Sequence, residues 1–363
     1  VVYINLKEYS EKSAKMPKRQ KGGGAVKQKN DLPKAECPEG TEPGTECPEE
    51  EEAQAPAVSI CVPCYNNASQ VKKLLSTVAE QTLQDIEVIL SDDSTDSRIQ
   101  ELAERIREEK EPGISWEGAG RKLRYAHNEK PLGHIFNWNH ALDMAQGRYI
   151  KIMFSDDWFT YPDSLEKLAV MLDERPDASL AFCGTMQVSE KRTWTRAAND
   201  AYLERLRTDY RHLFLGNEIG APSATIYRAC GARFDEKSNW ASDMFLYFEI
   251  LQKNPYFAAT KEPLISIGIH EEQYTGMFAE KDIRKYQDSL LMYQKYGLSA
   301  NEACRREMLR LTVMYGQGWK RALSCGASFP EYMKERARWF WHNTVLGYWN
   351  GLRHKLGLAR GGA

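Results

Sequence analysis

GRYIKIMFSDDW, residues 147–158, decides how the rest of the chain is read. Tyr149, Ile150, Ile152, Met153 and Phe154 make an apolar run suited to a strand covered on both faces. Ser155, Asp156 and Asp157 then stop it. Adjacent carboxylates repel each other unless a positive charge lies beside them. A divalent metal with oxygen ligands, also holding a substrate diphosphate, supplies such a charge. Ligands of open α/β sheets bind at the carboxyl ends of strands, where this pair falls. The alternative is a solvated turn in which Asp serves as a cap.

The sequence upstream sets the context. VSICV (58–62) reads as a short buried strand, PCYNN (63–67) as a breaker-rich loop, and Val71, Leu74, Leu75 and Val78 as one helical stripe. IEVILS (86–91) predicts a second strand ending in Asp92 and Asp93, with Asp96 placed to cap a helix striped by Ile99, Leu102, Ala103 and Ile106. KLRYA (122–126) predicts a third strand. Gly133 opens a helix with Ile135, Trp138, Leu142 and Ala145 inward, closed by Gly147. After 147–158, Pro162 starts a helix striped by Leu165, Leu168, Ala169 and Leu172, and 178–188 reads as another strand. Strands alternating with helices at this spacing predict a mainly parallel sheet with helices on both faces.

The flanks differ in character. Residues 1–56 are basic, then Gly-rich, then acidic and Pro-rich, and are expected to be a flexible tail or linker, with a short strand conceivable over 1–6. From Lys281 to the end the chain reads as helices. The last of these is rich in Trp339, Phe340, Trp341, Tyr348, Trp349, Arg353, His354 and Lys355, suiting it to packing on the main domain or to peripheral contact with a membrane surface. The expected domains are therefore 1–56, 57–280 and 281–363. With 363 residues, 42% hydrophobic and a formal net charge of -2, the chain can build a large core and carries no global field that points to nucleic acid. The chain opens on Val1, which leaves its natural start undefined; no apolar run spans a bilayer and no signal-peptide pattern is read. Eight scattered cysteines suit a reduced, cytoplasmic protein. Cys61-x-x-Cys64 has no second CxxC or His cluster to complete a zinc site, so a structural role is expected for it.

Three strand ends now lie on one sheet edge: Pro63-Cys64-Tyr65-Asn66-Asn67, Asp92-Asp93 and Asp156-Asp157. Neither GxGxxG nor GxxxxGK[ST] is present, so phosphate would have to be neutralised by a metal on paired Asp. VSICVPCYNN, SDDSTD (91–96), Asn128 with Gly133 and Asn139, and GRYIKIMFSDDW in that order resemble a GT-A glycosyltransferase of family 2, most strongly over 57–175 and more weakly to about 275. The resemblance implies a Rossmann-like GT-A fold with a C-terminal helical extension. It implies a nucleotide site of Pro63, Tyr65, Asn66, Asp92, Asp93, Asn128, Asn139 and Asp156. It also implies a metal site (Mn²⁺ or Mg²⁺) of Asp156, Asp157 and His270, with Gln273 and Thr275 near phosphate. Gly220, Pro222 and Ser223 would line the acceptor groove, and Asp243 in SNWASDMFLYFEIL (238–251) would be the base, with Asp235 and Glu249 the other carboxylates to weigh. Many members carry Asp-x-Asp-Asp; here the first position is Phe154.

The expected activity is inverting transfer from a nucleotide-sugar, with UDP as the nucleotide, to a glycan or lipid-linked acceptor in cell-surface polysaccharide synthesis. A homo-oligomer and a membrane-associated cytoplasmic protein are both compatible with it. A nucleotidyltransferase acting on sugar phosphates and a catalytically inactive nucleotide-sugar-binding scaffold are the rivals, the latter favoured by Phe154.

Overall fold

The computed structural model describes residues 55–116, 120–270 and 278–342. Apart from its last two residues, the expected tail lies outside the described residues. So do Gln273, Thr275, Tyr348, Trp349, Arg353, His354 and Lys355.

The first half of the domain forms as its periodicity dictates. Strand β1 (Val58–Cys64) leads to helix α1 (Ala68–Ala79), β2 (Ile86–Asp92), α2 (Arg98–Arg107), β3 (Lys122–His127), α3 (His134–Asp143) and β4 (Tyr149–Ile152). The predicted stripes of α1 and α2 are buried in full. The four strands lie in the order β3-β2-β1-β4, all parallel. Successive strand residues point to opposite faces, and both faces are covered. Ile60, Val62, Val88 and Leu90 enter one core layer, while Cys61, Ile89, Ile150 and Ile152 enter the other. The same alternation settles the CxxC. Cys61 and Cys64 lie three residues apart on one strand, belong to opposite layers, and are free buried thiols whose pKa burial pushes up.

Beyond β4 the sheet becomes mixed. The chain adds β5 (Asp157–Phe159), α4 (Ser164–Asp173), β6 (Leu180–Ser189), β7 (Thr193–Arg196), α5 (Asp200–Thr208), β8 (Thr225–Arg228), α6 (Ser242–Lys253) and β9 (Phe257–Ile269). The strand order continues β4-β8-β6-β9-β5. β8 runs antiparallel to β4 and β6, β9 is parallel to β6, β5 is antiparallel to β9, and β7 pairs with β6 alone. The 147–158 stretch is thus not one strand running into two acids. β4 ends at Ile152, a turn holds Asp156, and Asp157 opens the separate strand β5. Just beyond β4 the Met153 N–H still donates to the Cys61 carbonyl at 2.9 Å, while the Phe154 N–H, on the side away from β1, donates to the Ser223 hydroxyl at 3.0 Å.

The C-terminal helices are α7 (Ile283–Lys295), α8 (Glu302–Met314), α9 (Trp319–Ser324) and α10 (Phe329–Phe340). The first two build no core of their own. Tyr286, Met292, Tyr293, Tyr296, Cys304 and Met308 join the layer that holds Phe214, Phe245 and Phe248, with Tyr296 stacked on Phe248 at 4.7 Å. Buried Asp288 of α7 accepts from the N–H groups of Asn239, Trp240 and Ala241 and so fixes the entry to α6. A small separate cluster of Leu309, Val313, Ala322, Ala327 and Tyr332 holds α9 and α10 on α8. Among the described residues no helix is long and apolar enough to cross a membrane.

β6 and β9 meet with a register shift at Gly184, where a Cβ would lie 2.3 Å from the Lys261 carbonyl oxygen. The obstacle is backbone and cannot rotate away. Gly184→Ala is therefore expected to cost about 1–3 kcal/mol of stability, measurable as a lowered melting temperature by calorimetry.

Candidate active site

The loop after β1 is built to be rigid. Asn66 adopts φ 52, a left-handed conformation that Asn tolerates better than most residues. Its N–H donates to Ser94 Oγ at 2.7 Å and its Oδ1 accepts from the Thr95 N–H at 3.0 Å, which locks this loop to the one after β2. Asn67 donates from Nδ2 to Ser155 Oγ, tying the same loop to the acidic turn. Pro63 is buried and Tyr65 half-buried beside them.

Asp92 and Asp93 lie at the end of β2 as expected, but they face inward, with exposures of 0% and 2%. Asp92 accepts from the Ser94 N–H and from the Tyr125 hydroxyl, each at 2.9 Å. Asp93 accepts from Asn128 Nδ2 at 2.8 Å and from the N–H groups of Leu132 and Gly133 at 3.1 and 2.8 Å. Burial raises the Asp93 pKa, and those three hydrogen bonds oppose the rise. Both carboxylates are thus committed to their own loops. Asn128 serves Asp93 in this way and also donates to Asn137. The Asn139 amide both donates to and accepts from the main chain of Phe234, at 3.0 and 2.9 Å, and so fixes that distant segment.

The acidic pair shows how two adjacent carboxylates are tolerated. Asp156 Oδ2 meets His270 Nε2 at 3.1 Å. Asp157 is held by the Ser223 hydroxyl and the Gly268 N–H, and its pKa is raised first by burial and then by the charge of Asp156. Beneath them lies Lys151, fully buried in β4, with Nζ on the Ser223 carbonyl oxygen. Burial lowers its pKa to about 7, against an opposing pull from Asp157. Gly268 lets β9 approach, because a Cβ there would stand 2.5 Å from the Asp156 carbonyl oxygen. Asp156 and His270 therefore come together while Asp157 turns towards Ser223. Among the described residues no three His, Cys, Asp or Glu groups are arranged around one metal position. Of the three ligands expected from sequence, Asp156 and His270 are the two in contact. A pair still fits Mg²⁺ or Mn²⁺, which commonly uses one or two carboxylates plus substrate phosphate oxygens.

The segment between the 3-10 turns at Tyr210–Leu215 and Pro222–Ala224 links this centre to Asp243. At one end Ser223 holds Phe154 and Asp157. At the other Asn217 donates from Nδ2 to Asp243 Oδ2 at 2.7 Å and to the Gly220 carbonyl at 3.1 Å. Asp243 lies in the first turn of α6, accepts from the Met244 N–H at 2.8 Å, and keeps some exposure through a cavity. Burial of its carboxyl nevertheless pushes the pKa up to about 6, opposed by those two hydrogen bonds and by Arg196. The cavity has a volume of about 580 Å³ and lies between the 196–244 region and helices α7 and α8, with Gly220, Trp240, Met292 and Tyr315 in its walls. The other candidate carboxylates are occupied: Asp235 and Glu249 each pair with Lys295 at 2.8 Å.

Comparison with known proteins fits this arrangement. Residues 59–230, which contain β1 to β8 and the acidic turn, match the glycosyl transferase family 2 profile. This segment is a family 2 glycosyltransferase domain. Relatives of the family 2 domain include an uncharacterised protein of Mycobacterium tuberculosis, 30% identical over 186 residues covering 48% of this chain and 54% of the relative. An uncharacterised glycosyltransferase of Rickettsia typhi is 24% identical over 61% of this chain and 67% of its own length. Chondroitin synthase of Escherichia coli is 25% identical over 64% and 36%. The chain thus spans about half the length of the first of these relatives. Among solved structures, S. aureus TarS 1-349 in complex with UDP-GlcNAc aligns with a TM-score of 0.53 at 17% identity, covering 77% of this chain and 79% of that one, a likeness of fold. The expected GT-A architecture with C-terminal helices is the observed one.

Sequence reading missed Asn217, Arg196 and Lys151. Lys151 was visible as a lone cation inside an apolar strand. Nothing in the sequence placed Asn217 or Arg196 near Asp243. Asn217→Ala removes a hydrogen bond that favours the charged form, so the Asp243 pKa is expected to rise further above about 6. A carboxyl-resolved NMR titration of the variant against the wild type measures the shift.

Proposed function

We propose that the protein is an inverting glycosyltransferase in which Asp243 takes the proton of an acceptor hydroxyl bound in the adjoining cavity. The observation that carries this reading is a desolvated carboxylate open to a cavity and tied by one short segment, Asn217 to Ser223, to the acidic turn of a family 2 domain. A base is most effective when its pKa lies near the working pH, and Asp243, at about 6, is ionised at neutral pH yet more basic than a solvated Asp. Direct displacement by the acceptor oxygen inverts the anomeric centre and needs no enzyme nucleophile.

On the donor side, Tyr65 and Asn66 would face the base and ribose on the wall shaped by Pro63, Asp92, Asp93 and Asn128. Asp156 with His270 would hold Mn²⁺ or Mg²⁺ together with the diphosphate. When bound, such an ion neutralises the charge that develops on the leaving diphosphate. The Ser223 hydroxyl holds Asp157, and Lys151 in turn holds the Ser223 carbonyl, which restrains the turn that presents Asp156. A UDP-sugar is the donor we favour, supported by the fold shared with TarS, which holds UDP-GlcNAc. The acceptor class in this reading is a glycan or lipid-linked sugar of a cell-surface polysaccharide pathway, used at the cytoplasmic side of a membrane. The nucleotidyltransferase rival falls away with the family assignment. Phe154 keeps the inactive-scaffold rival in view, and turnover separates the two.

Calorimetric titration of UDP with Mn²⁺ into the wild type and into Asp156→Ala with Asp157→Ala tests the donor site. Binding that requires both metal and acids supports the reading, and silence with every nucleoside diphosphate overturns it. For the base, Asp243→Asn is expected to lower kcat by about 10²–10⁴ while leaving the nucleotide Kd unchanged. The same variant is expected to be more stable than wild type at pH 7.5 and equal to it below the unfolded pKa of about 3.9. The sign follows from the raised folded pKa of about 6, which penalises the charged form in the folded state and makes the penalty complete only above that pH.

A further inference from the structure

We propose that α9 and α10 dock the protein on an anionic lipid surface. The observation is a second apolar stripe on a helix that already has one. The inward side of α10 is spent on Tyr332, which packs in the cluster with Leu309, Val313 and Ala322 and donates to the Gln317 carbonyl at 3.3 Å. A different side carries Phe329, Met333 and Phe340, exposed at 50%, 45% and 56%. At 3.6 residues per turn these three fall within an arc of roughly 40°, with Arg336 at its edge. The short helix α9 extends the patch. Trp319 and Leu323 are exposed one turn apart, and the Trp319 ring meets Phe329 edge-on at 5.9 Å. Of the fifteen large apolar side chains exposed among the described residues, six lie between Trp319 and Trp341. The patch is therefore local, not a general feature of the surface.

Charge selects the occupant. The whole chain has a net charge of -2, yet from Trp319 onward it has eight Lys and Arg against two Glu. Of those Glu, Glu331 is spent on the capping box with Ser328 and Glu335 on Arg338. Lys320, Lys334 and Arg336 are exposed and have no carboxylate partner among the described residues. A two-fold contact between copies of the chain would set this basic patch against itself. A protein groove lined by apolar residues alone would leave Arg336 buried and unpaired. An anionic bilayer answers both halves of the chemistry. Aromatic and aliphatic side chains enter the headgroup boundary, and the cations remain among the phosphates. The proposal deepens the transferase reading, since a lipid-linked acceptor would lie in such a surface, but vesicle binding needs neither donor nor turnover, so the two fail separately.

The test is co-sedimentation of the full chain with phosphatidylcholine vesicles, with and without phosphatidylglycerol. Binding is expected only where phosphatidylglycerol is present and is expected to weaken as salt is raised. Phe329→Ser with Met333→Ser and Phe340→Ser is expected to weaken it about tenfold or more. Lys334→Gln with Arg336→Gln changes only exposed side chains, and it is expected to weaken binding without lowering the melting temperature. Absence of binding to anionic vesicles at low salt, equal binding to neutral vesicles, or undiminished binding by the charge variant would overturn the proposal. So would a dimer in sedimentation equilibrium that the triple variant dissolves.

Discussion

Two neighbouring carboxylates have to be kept in a buried turn, and much of the domain is arranged around that requirement. Asp156 and Asp157 are almost withdrawn from water, where uncompensated charge is costly. The sequence suggested a divalent metal as the natural counter-charge. The structure adds protein groups: the imidazole of His270 on one acid, the Ser223 hydroxyl and Gly268 amide on the other, and the buried Lys151 amine below. These come from three places in the chain, so the turn is held only when β4, β9 and the approach to β8 are all in place. Strand order and site chemistry are thus one problem. β8 enters antiparallel beside β4, and the turn that precedes it delivers Ser223 to Phe154.

The same dependence reaches Asp243. The segment that ends at Ser223 begins near Asn217, and Asn217 holds the Asp243 carboxylate. A displacement of this segment would alter the acidic turn and the Asp243 carboxylate together, since seven residues of backbone, Asn217 to Ser223, connect them. Helix α7 adds a second restraint, because Asp288 gathers three backbone N–H groups just before α6. The C-terminal helices therefore set the position of Asp243 as well as one wall of the cavity.

The first half of the fold was legible because its signals are local. The stripe Val71, Leu74, Leu75 and Val78 and the run Ile86 to Ser91 each specify an element without help from distant chain. The order of strand-end motifs put the loops after β1 and β2 and the acidic turn on one sheet edge, where hydrogen bonds join them. Long-range contacts were not legible. Asn139 looked like a pocket residue by its place in the motif order, but its amide is claimed by Phe234, 95 residues away. Asp92 and Asp93 looked available because a sequence does not show that Tyr125, Asn128 and Gly133 will consume their oxygens. Lys151 was passed over because a single charge in an apolar strand has no sequence partner, and its partner, Ser223, lies on another strand's approach.

The long reach of β9 bears on how the chain folds. The contact between Asp156 and His270 closes a loop of 114 residues, and closing long loops is entropically expensive and slow compared with local pairing. The β1 to β4 core is assembled from neighbours in sequence, whereas the acidic turn receives its last partners only after β6 has formed and β9 has crossed to lie parallel to it. During synthesis the two acids emerge well before the strand that covers them. The acidic turn is thus among the last parts of the domain to become dry, and an intermediate lacking β9 would leave β5 unpaired and the acid pair open and solvated.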